Sequence, residues 1–523
     1  MRGGLIGRAE MNGTVVDAVA THARMRPNSL ACRDLETGRA WTYRELDQAV
    51  NQVGSWLVET LGAASGERVA TVAANCADML ILQLGCVRAG AVFVPLNWRL
   101  AEAELQVLAA DCAPRLLFAD ARFEESASRV VAGDACKVIN WDETAGRLAD
   151  VVGPGRTSPP SAARRAFDAA STLLYTSGTS GRPKGVIQTE ATVFWGCANF
   201  ISGNDVTCHS VFLCDMPMFH TAGLNAAVRT PIQAGGAVLI SAGFDPARTL
   251  ARLSDPELGV THYFSVPQMA QKLWQAPEFR PDMLRRLAVY ATGGAPNPAA
   301  QVRRFAGAGI RMSDGFGMTE TGSNFGMPVD DLDLVAAKAG SCGLPFLAVQ
   351  ARIVDDQGRD LADGEPGELW LRGPSLSPGY WNRPDETGRA FTDGWFHTGD
   401  VAMRDADGFH FLVDRRKDMY ISGGENVFPA EVEAVISELE VVSEVAVIGV
   451  PDARWGEAGR AYVRLRPDGT LEAEGVIAHC RARLARYKCP ASVVITDDMP
   501  RTASGKVQKH LLRARAIIEL DAG

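Results

Sequence analysis

A chain of 523 residues is too long for one compact core and, at roughly 150 residues per unit, divides into about three or four packed units. Hydrophobic residues at 46% and charged residues at 22% are ordinary for a soluble globular protein, and 53 basic against 62 acidic side chains leave a net charge of −9 with no long block of either sign, which argues against nucleic acid as a partner. The eleven cysteines make no C-x-x-C pair, the eight histidines form no H-x-x-x-H, residues 1–5 lack a signal-peptide core, and the most apolar stretch, 79–96, is broken by Gln83, Arg88 and two glycines; a metal cluster and a membrane span are not expected, and a cytoplasmic location is.

In chain order, residues 14–24 read as an amphipathic helix stopped by Pro27. Residues 40–43 read as a strand end feeding a helix over 44–61, with Thr42 as N-cap and Glu45 three residues on. Strand 69–72, helix 78–89, strand 91–96, helix 101–111 and strand 116–118 follow. Strands alternating with helices of this length predict βαβ units on a largely parallel sheet. Residues 152–165, rich in Gly, Pro and Arg, read as a closing loop.

The apolar pair Leu173 and Leu174 then runs into Tyr-Thr-Ser-Gly-Thr-Ser-Gly-Arg-Pro-Lys-Gly-Val at 175–186. Read as a strand entering a flexible loop, it offers the hydroxyls of Thr176, Ser177, Thr179 and Ser180, N–H groups bared by Gly178 and Gly181, and the point charge of Lys184. That set suits polyphosphate. A Walker loop is disfavoured, because Lys184 precedes a glycine and no hydroxyl follows. A merely solvated Gly/Ser loop has the same composition.

Helix 190–201 and strand 211–214 lead to Met-Pro-Met-Phe-His-Thr-Ala-Gly-Leu at 216–224. His220 reads either as a satisfied core histidine or as a group heading a helix whose small residues, Ala222, Gly223, Ala226 and Ala227, leave room for a ligand. Strands at 237–240, 261–266 and 287–291 continue the alternation. The last ends in Thr292-Gly293-Gly294-Ala295-Pro296, an ordinary turn or a glycine pair on which a flat ring lies at the carboxyl edge of the sheet. In Ser-Asp-Gly-Phe-Gly-Met-Thr-Glu-Thr at 313–321, Phe316 offers a stacking face, Thr319 a hydroxyl and Glu320 an oxygen ligand suited to Mg²⁺.

From 348 the elements shorten. Segments 350–354, 367–372 and 408–413, parted by Asp-Gly and Gly-Pro turns, predict an antiparallel β unit. Within it Asp400 follows a glycine and is placed to accept two hydrogen bonds from a ribose diol. The charged run Asp414-Arg415-Arg416-Lys417-Asp418 reads as a solvated linker, and 422–427 as another glycine loop. Helix 429–439, strands 445–450 and 460–465, helix 472–484 and strand 491–496 make a small α+β unit, which closes on Pro-Arg-Thr-Ala-Ser-Gly-Lys at 500–506.

Five of these stretches, in this order over about two thirds of the chain, resemble the motifs of the adenylate-forming (AMP-binding) superfamily, and within it the acyl-CoA synthetases and aryl-CoA ligases. The resemblance implies an α/β fold with a large N-terminal domain, 1–413, of βαβ sheet subdomains plus a small antiparallel β unit, a hinge at 414–417, and a mobile α+β lid, 418–523. It implies an enzyme that uses ATP and Mg²⁺ to activate a carboxylic acid as acyl-AMP, releases pyrophosphate, and passes the acyl group to coenzyme A. Thr176 to Gly181 and Lys184 fall on the family's phosphate loop, Gly294, Ala295 and Pro296 on its adenine turn, and Asp314, Gly315, Phe316, Gly317, Met318 and Thr319 on its second nucleotide motif. Many relatives carry tyrosine where this chain has Phe316, a change that keeps a stacking ring.

By the same resemblance Glu320 is the metal ligand, Asp400 meets the ribose, and Arg415 holds the ribose and phosphate side. Lys417 is the pivot, and Gly423, Gly424 and Asn426 line the pantetheine route. Lys506 is the catalytic lysine that bridges the acid and the α-phosphate. His220 flanks the substrate carboxylate, beside a pocket that takes in Ala222, Gly223, Leu224, Gly293, Gly317 and Gly322, with Asn324 as a polar group for a ring hydroxyl.

Two anions must meet in such a reaction, so neutralisation and alignment matter more than acid–base work. One site cannot present both Lys506 and a thiol at once, which is a physical reason for a hinge. Relatives that activate amino acids carry an aspartate after the aromatic where this chain has His220, which argues against an amino acid. A roomy apolar pocket, expected from the run Ala222-Gly223-Leu224 and the small residues Gly317 and Gly322, suits a fatty acid or an aryl-propenoic acid such as coumarate or ferulate, and the sequence leaves both open. The chain stops soon after Lys506, so free coenzyme A is the expected acceptor, with delivery to a separate carrier protein as the alternative. A non-ligase nucleotide-binding α/β protein would need a G-x-G-x-x-G after a strand, and none is present. The oligomeric state, a homodimer included, stays open.

Overall fold

Two largely parallel sheets carry most of the chain in the computed structural model, which describes residues 16–63, 65–131, 135–141, 147–153, 166–176, 183–295, 297–415, 418–422, 425–452, 455–484, 486–501 and 507–521. One sheet has the spatial order Met312–Asp314, Val289–Thr292, His262–Ser265, Val211–Cys214, Ala237–Ile240, Leu30–Asp34 and Ala40–Thr42, parallel except at the last pair. The other runs Lys137–Trp141, Leu116–Asp120, Arg68–Val72, Val92–Leu96, Ala170–Thr176 and Lys184–Thr189, parallel until a final antiparallel hairpin. The βαβ reading of the sequence accounts for both.

Between the sheets lies the helix Ala77–Ala89, whose side chains are buried almost all round because it has no polar face. Its one deep cation, Arg88, is 3% exposed and donates to Asp17, Asp47 and Asn51 at 2.6–3.1 Å. Breaking such a buried cluster from one side is expensive because it strands a charge. Among the described residues no helix is long and apolar enough to cross a membrane. The neighbouring helix Tyr43–Leu61 opens with the expected capping box between Thr42 and Glu45, worth about 1 kcal/mol. The first helix runs Ala18–Met25, capped by Asp17.

A five-stranded antiparallel unit follows, built from Gln350–Val354, Gly367–Arg372, Trp395–Arg404, Phe391–Thr392 and His410–Arg415. The last sheet is separate, with Tyr420–Ser422, Glu425–Val427, Val442–Asp452, Gly456–Leu465 and Ser492–Ile495. Helices Pro429–Ile436 and Ala473–Arg481 pack on one of its faces through Val432, Ile436, Val476 and Cys480. Helix Lys509–Asp521 packs on the other through Leu512 and Ala516.

Eight of the eleven cysteines are buried. Burial pushes the Cys197 thiol up to about 11 and that of Cys112 up to about 12, so both stay protonated and behave as small apolar groups.

Several elements depart from the sequence reading. The strand Lys184–Thr189 stands where a loop was expected, and of the loop expected at 422–427 residue 422 and residues 425–427 lie on the paired strands Tyr420–Ser422 and Glu425–Val427, with 423 and 424 outside the described residues. Strands Lys137–Trp141, Gly322–Gly326 and Trp395–Arg404 and the terminal helix Lys509–Asp521 were not anticipated. Of the closing loop expected at 152–165, residues 154–165 lie outside the described residues.

Candidate active site

The candidate phosphate loop joins two antiparallel strands, with Thr176 opposite Lys184 across the last register pair. Ser177, Gly178, Thr179, Ser180 and Gly181 lie outside the described residues. The returning strand is held from its other side: Trp381 donates its N–H to the Gly185 carbonyl and Ile187 to that of Gly379, at 2.7 and 3.0 Å. Satisfying both edges explains why so short and glycine-bearing a segment forms a strand.

Three distant segments meet on this hairpin. Gln188 Nε2 donates to the Thr319 carbonyl at 2.6 Å, and Ser377 Oγ to that of Ile187 at 2.7 Å. The Ser377 N–H in turn donates to the Glu320 carbonyl at 2.7 Å. Tyr380 Oη donates to Glu320 Oε1 at 3.1 Å, and its ring lies 5.1 Å from Lys184 Nζ, which pairs with Glu386. Thr176, Lys184, Thr319 and Glu320, singled out in the sequence, thus belong to one cluster. Gln188, Ser377, Tyr380 and Glu386 belong to it too and were missed. None of them has a motif spacing of its own, and only Tyr380, in a Pro-bracketed aromatic pair, offered any signal.

On the candidate adenine side, the ends of two parallel strands come together. Gly315 donates its N–H to the Thr292 carbonyl at 2.9 Å, and a Cβ on Gly293 would lie 3.0 Å from the Gly315 carbonyl oxygen. Gly294 takes φ +81, open to glycine at no steric penalty, beside Ala295. Pro296 lies outside the described residues. Phe316, Gly317 and Met318 form a half-buried strand leading to Thr319.

Asp314 is buried, with Thr292 Oγ1 donating to its Oδ1 at 2.8 Å and Asn297 Nδ2 supporting that hydroxyl at 3.1 Å. Burial pushes its carboxyl up to about 7, against the hydrogen bonds from Thr292, Asn297 and Gly315. A carboxyl whose folded pKa lies above its unfolded value of about 4 contributes stability that is complete below that pH and is lost as pH rises towards 7. Asp314→Asn is therefore expected to flatten the dependence of melting temperature on pH between about 4 and 7, and to melt above the unsubstituted chain at higher pH. A thermal-melt series across that window reads both.

The segment carrying His220 is clamped between the two sheets by Asn75. That amide donates to the carbonyls of Met216 and Ser241 at 2.8 and 3.1 Å and accepts the Met218 N–H at 2.8 Å. His220 is half-buried, edge-on to Phe219 with ring centroids 4.6 Å apart. The helix that follows, Ala222–Arg229, is wound as a π-helix, a rare form often found at functional sites.

The small residues here do not make room. A Cβ on Gly223 would lie 2.2 Å from the Pro217 carbonyl oxygen, and one on Gly317 2.4 Å from that of Gly322. Leu224 is fully buried in the core. Gly322 takes φ +70, and a Cβ there would meet the Gly196 Cα at 3.3 Å. The roomy pocket expected from Gly223, Gly317 and Gly322 is corrected on this point: neighbouring backbone fills the space. Asn324 is corrected as well. It is fully buried, its amide donating to the Thr321 carbonyl at 3.1 Å and its oxygen accepting from the Thr321 hydroxyl.

Asp400 is buried on strand Trp395–Arg404, in register with Arg415 at the end of the next strand. Asn426 lies on the short strand Glu425–Val427. Lys417, Gly423, Gly424 and Lys506 lie outside the described residues.

Comparison with known proteins places this geometry in a family. Residues 19–381 match the family of AMP-binding enzymes, and residues 431–506 match the AMP-binding enzyme C-terminal domain. A feruloyl-CoA synthase of Amycolatopsis sp is 38% identical over 94% of this chain and 97% of its own length. The long-chain-fatty-acid–CoA ligase FadD13 of Mycobacterium tuberculosis is 34% identical over 94% and 96%. The structure of ATP-bound MatB from Rhodopseudomonas palustris superposes with a TM-score of 0.86 at 30% identity, covering 95% of this chain and 98% of that one. With both family matches in chain order and a relative 38% identical over nearly the whole chain, the chain belongs to the adenylate-forming AMP-binding enzymes.

Proposed function

We propose that the acid activated by this AMP-forming acid–CoA ligase is an aryl-propenoic acid of the coumarate or ferulate type. The observation that carries the choice is the 38% identity to a feruloyl-CoA synthase across nearly the whole chain, against 34% to a long-chain-fatty-acid ligase.

In this reading the Lys184 ammonium and the hydroxyls of Thr176 and Thr319 bind the triphosphate, and the turn at Gly293 and Gly294 with Phe316 holds the adenine. Asp400 accepts from the ribose hydroxyls and His220 flanks the acid. Glu320, oriented by the Tyr380 hydroxyl, is an oxygen donor that fits Mg²⁺. Among the described residues no three His, Cys, Asp or Glu converge. When bound, the cation screens phosphate charge. Lys506 then aligns the carboxylate with the α-phosphorus, and the lid carrying it turns about residues 414–417 to admit the thiol of coenzyme A. A pivot there is supported by the end of one sheet at Arg415 and the start of another at Tyr420. The same proposal has the reaction run in the cytoplasm.

The test is a panel of acids with ATP, Mg²⁺ and coenzyme A, followed by pyrophosphate release and by thioester absorbance. Ferulate and coumarate are expected to exceed hexadecanoate at least about tenfold in kcat/KM, a difference of about 1.4 kcal/mol. A preference for hexadecanoate would overturn the assignment, and acyl-AMP accumulating without thioester would point to a separate carrier.

A further inference from the structure

The lysine of the phosphate hairpin is already occupied by an acid of the chain itself. Lys184 and Glu386 form an ion pair in which the side chains are only 17% and 27% exposed, with the Tyr380 ring under the ammonium. Glu386 sits on the short helix Pro384–Arg389, more than two hundred residues further along the chain. A second cation stands behind it: Arg383 Nε lies 3.8 Å from Glu386 Oε1. Arg383 is itself anchored by Asp111 at 2.8 Å, which also accepts the Tyr175 hydroxyl at 2.7 Å.

We propose that Glu386 is a stand-in for a phosphate of the nucleotide, neutralising Lys184 until a triphosphate oxygen replaces it, whereupon the carboxylate falls back on Arg383. The inference rests on the reading above that Lys184 binds the triphosphate. A compact ammonium on a flexible stem with three donors re-aims easily. The cation that stays behind is a guanidinium already fixed in place, so the displaced carboxylate is not left buried and unpaired, the outcome that makes one-sided breaking of an ion pair costly. The two anions compete for one cation, and a carboxylate near a polyanion also repels it. Glu386 thus sets the affinity for ATP without touching the reacting atoms.

Glu386→Gln removes the charge and keeps the shape. It is expected to lower the KM for ATP roughly three- to fivefold, the range of a partly exposed ion pair, with a smaller change in kcat and no change in the KM for acid or coenzyme A. Glu386→Asp, which keeps the charge, is expected to stay within about twofold of the unsubstituted chain. Circular dichroism and melting curves of both variants establish that they fold. A KM for ATP that is unchanged or raised in the glutamine variant overturns the proposal, as does an equal fall in the aspartate variant. Failure of the underlying reading looks different: Lys184→Ala would then leave the KM for ATP unchanged while acid-dependent pyrophosphate release continued.

Discussion

Lys506→Ala is expected to slow acid-dependent pyrophosphate release by about two to three orders of magnitude, while thioester formation from supplied acyl-AMP and coenzyme A stays within a few-fold. The asymmetry follows from charge. In the first half-reaction a carboxylate attacks a phosphorus that already bears negative oxygens, and charge builds where the two meet. A cation fixed at that point is worth about 2.7–4 kcal/mol, the scale measured for single preorganised donors. In the proposed reading Lys184, Thr176 and Thr319 hold the triphosphate, and Lys506 supplies the cation at the point of attack. In the second half-reaction AMP leaves and a thiolate attacks a neutral carbonyl, so Lys506 has no anion pair to bridge. The residue closes the C-terminal family match at 431–506, preceded by a serine and a glycine. Separate assays of pyrophosphate release and of acyl transfer make the comparison. An equal loss in both halves would mean structural damage, and full retention of the first would overturn the role given to Lys506.

The fold was legible in the sequence because its signal is periodic and local. Strands of four to six apolar residues alternating with helices of ten or more leave few arrangements other than parallel sheets. Thr42 with Glu45 marked a helix start that the structure repeats. What stayed hidden depends on partners remote in the chain. Lys184–Thr189 reads as loop, since its pairing comes from Ala170–Thr176 on one side and from Gly379 and Trp381 on the other. Tyr380 and Glu386 carry no spacing that ties them to Lys184, and Asn75 none that ties it to Met216 or Ser241.

The glycines misled for a related reason. A missing side chain reads equally as space for a ligand or as contact with another backbone, and at Gly223 and Gly317 the carbonyls of Pro217 and Gly322 decide for contact. Asn324, polar in a run thought to face the acid, turns its amide to Thr321 three residues away.

That contact at Gly223 makes the second large prediction. A methyl there would sit 2.2 Å from the Pro217 carbonyl oxygen, 2.6 Å from its carbon and 2.8 Å from the Met216 carbonyl oxygen. All three are backbone atoms, and the segment they belong to is tied to both sheets through Asn75. The same Pro217 carbonyl accepts the His220 N–H at 3.1 Å, and the His220 carbonyl accepts from Leu224 at 2.9 Å. Room for the methyl comes either from moving the π-helix Ala222–Arg229 outward or from breaking the clamp, and both displace His220. Gly223→Ala is therefore expected to lose about 1–3 kcal/mol of stability and to raise the KM for the acid more than about tenfold, with a smaller change for ATP. Gly307→Ala supplies the contrast. It closes the helix Ala299–Gly307, where an added Cβ meets nothing within 4 Å, and it is expected to be neutral or up to about 1 kcal/mol stabilising. If the two variants melt alike and bind the acid alike, the turn around His220 yields freely, and its position is not what holds the acid.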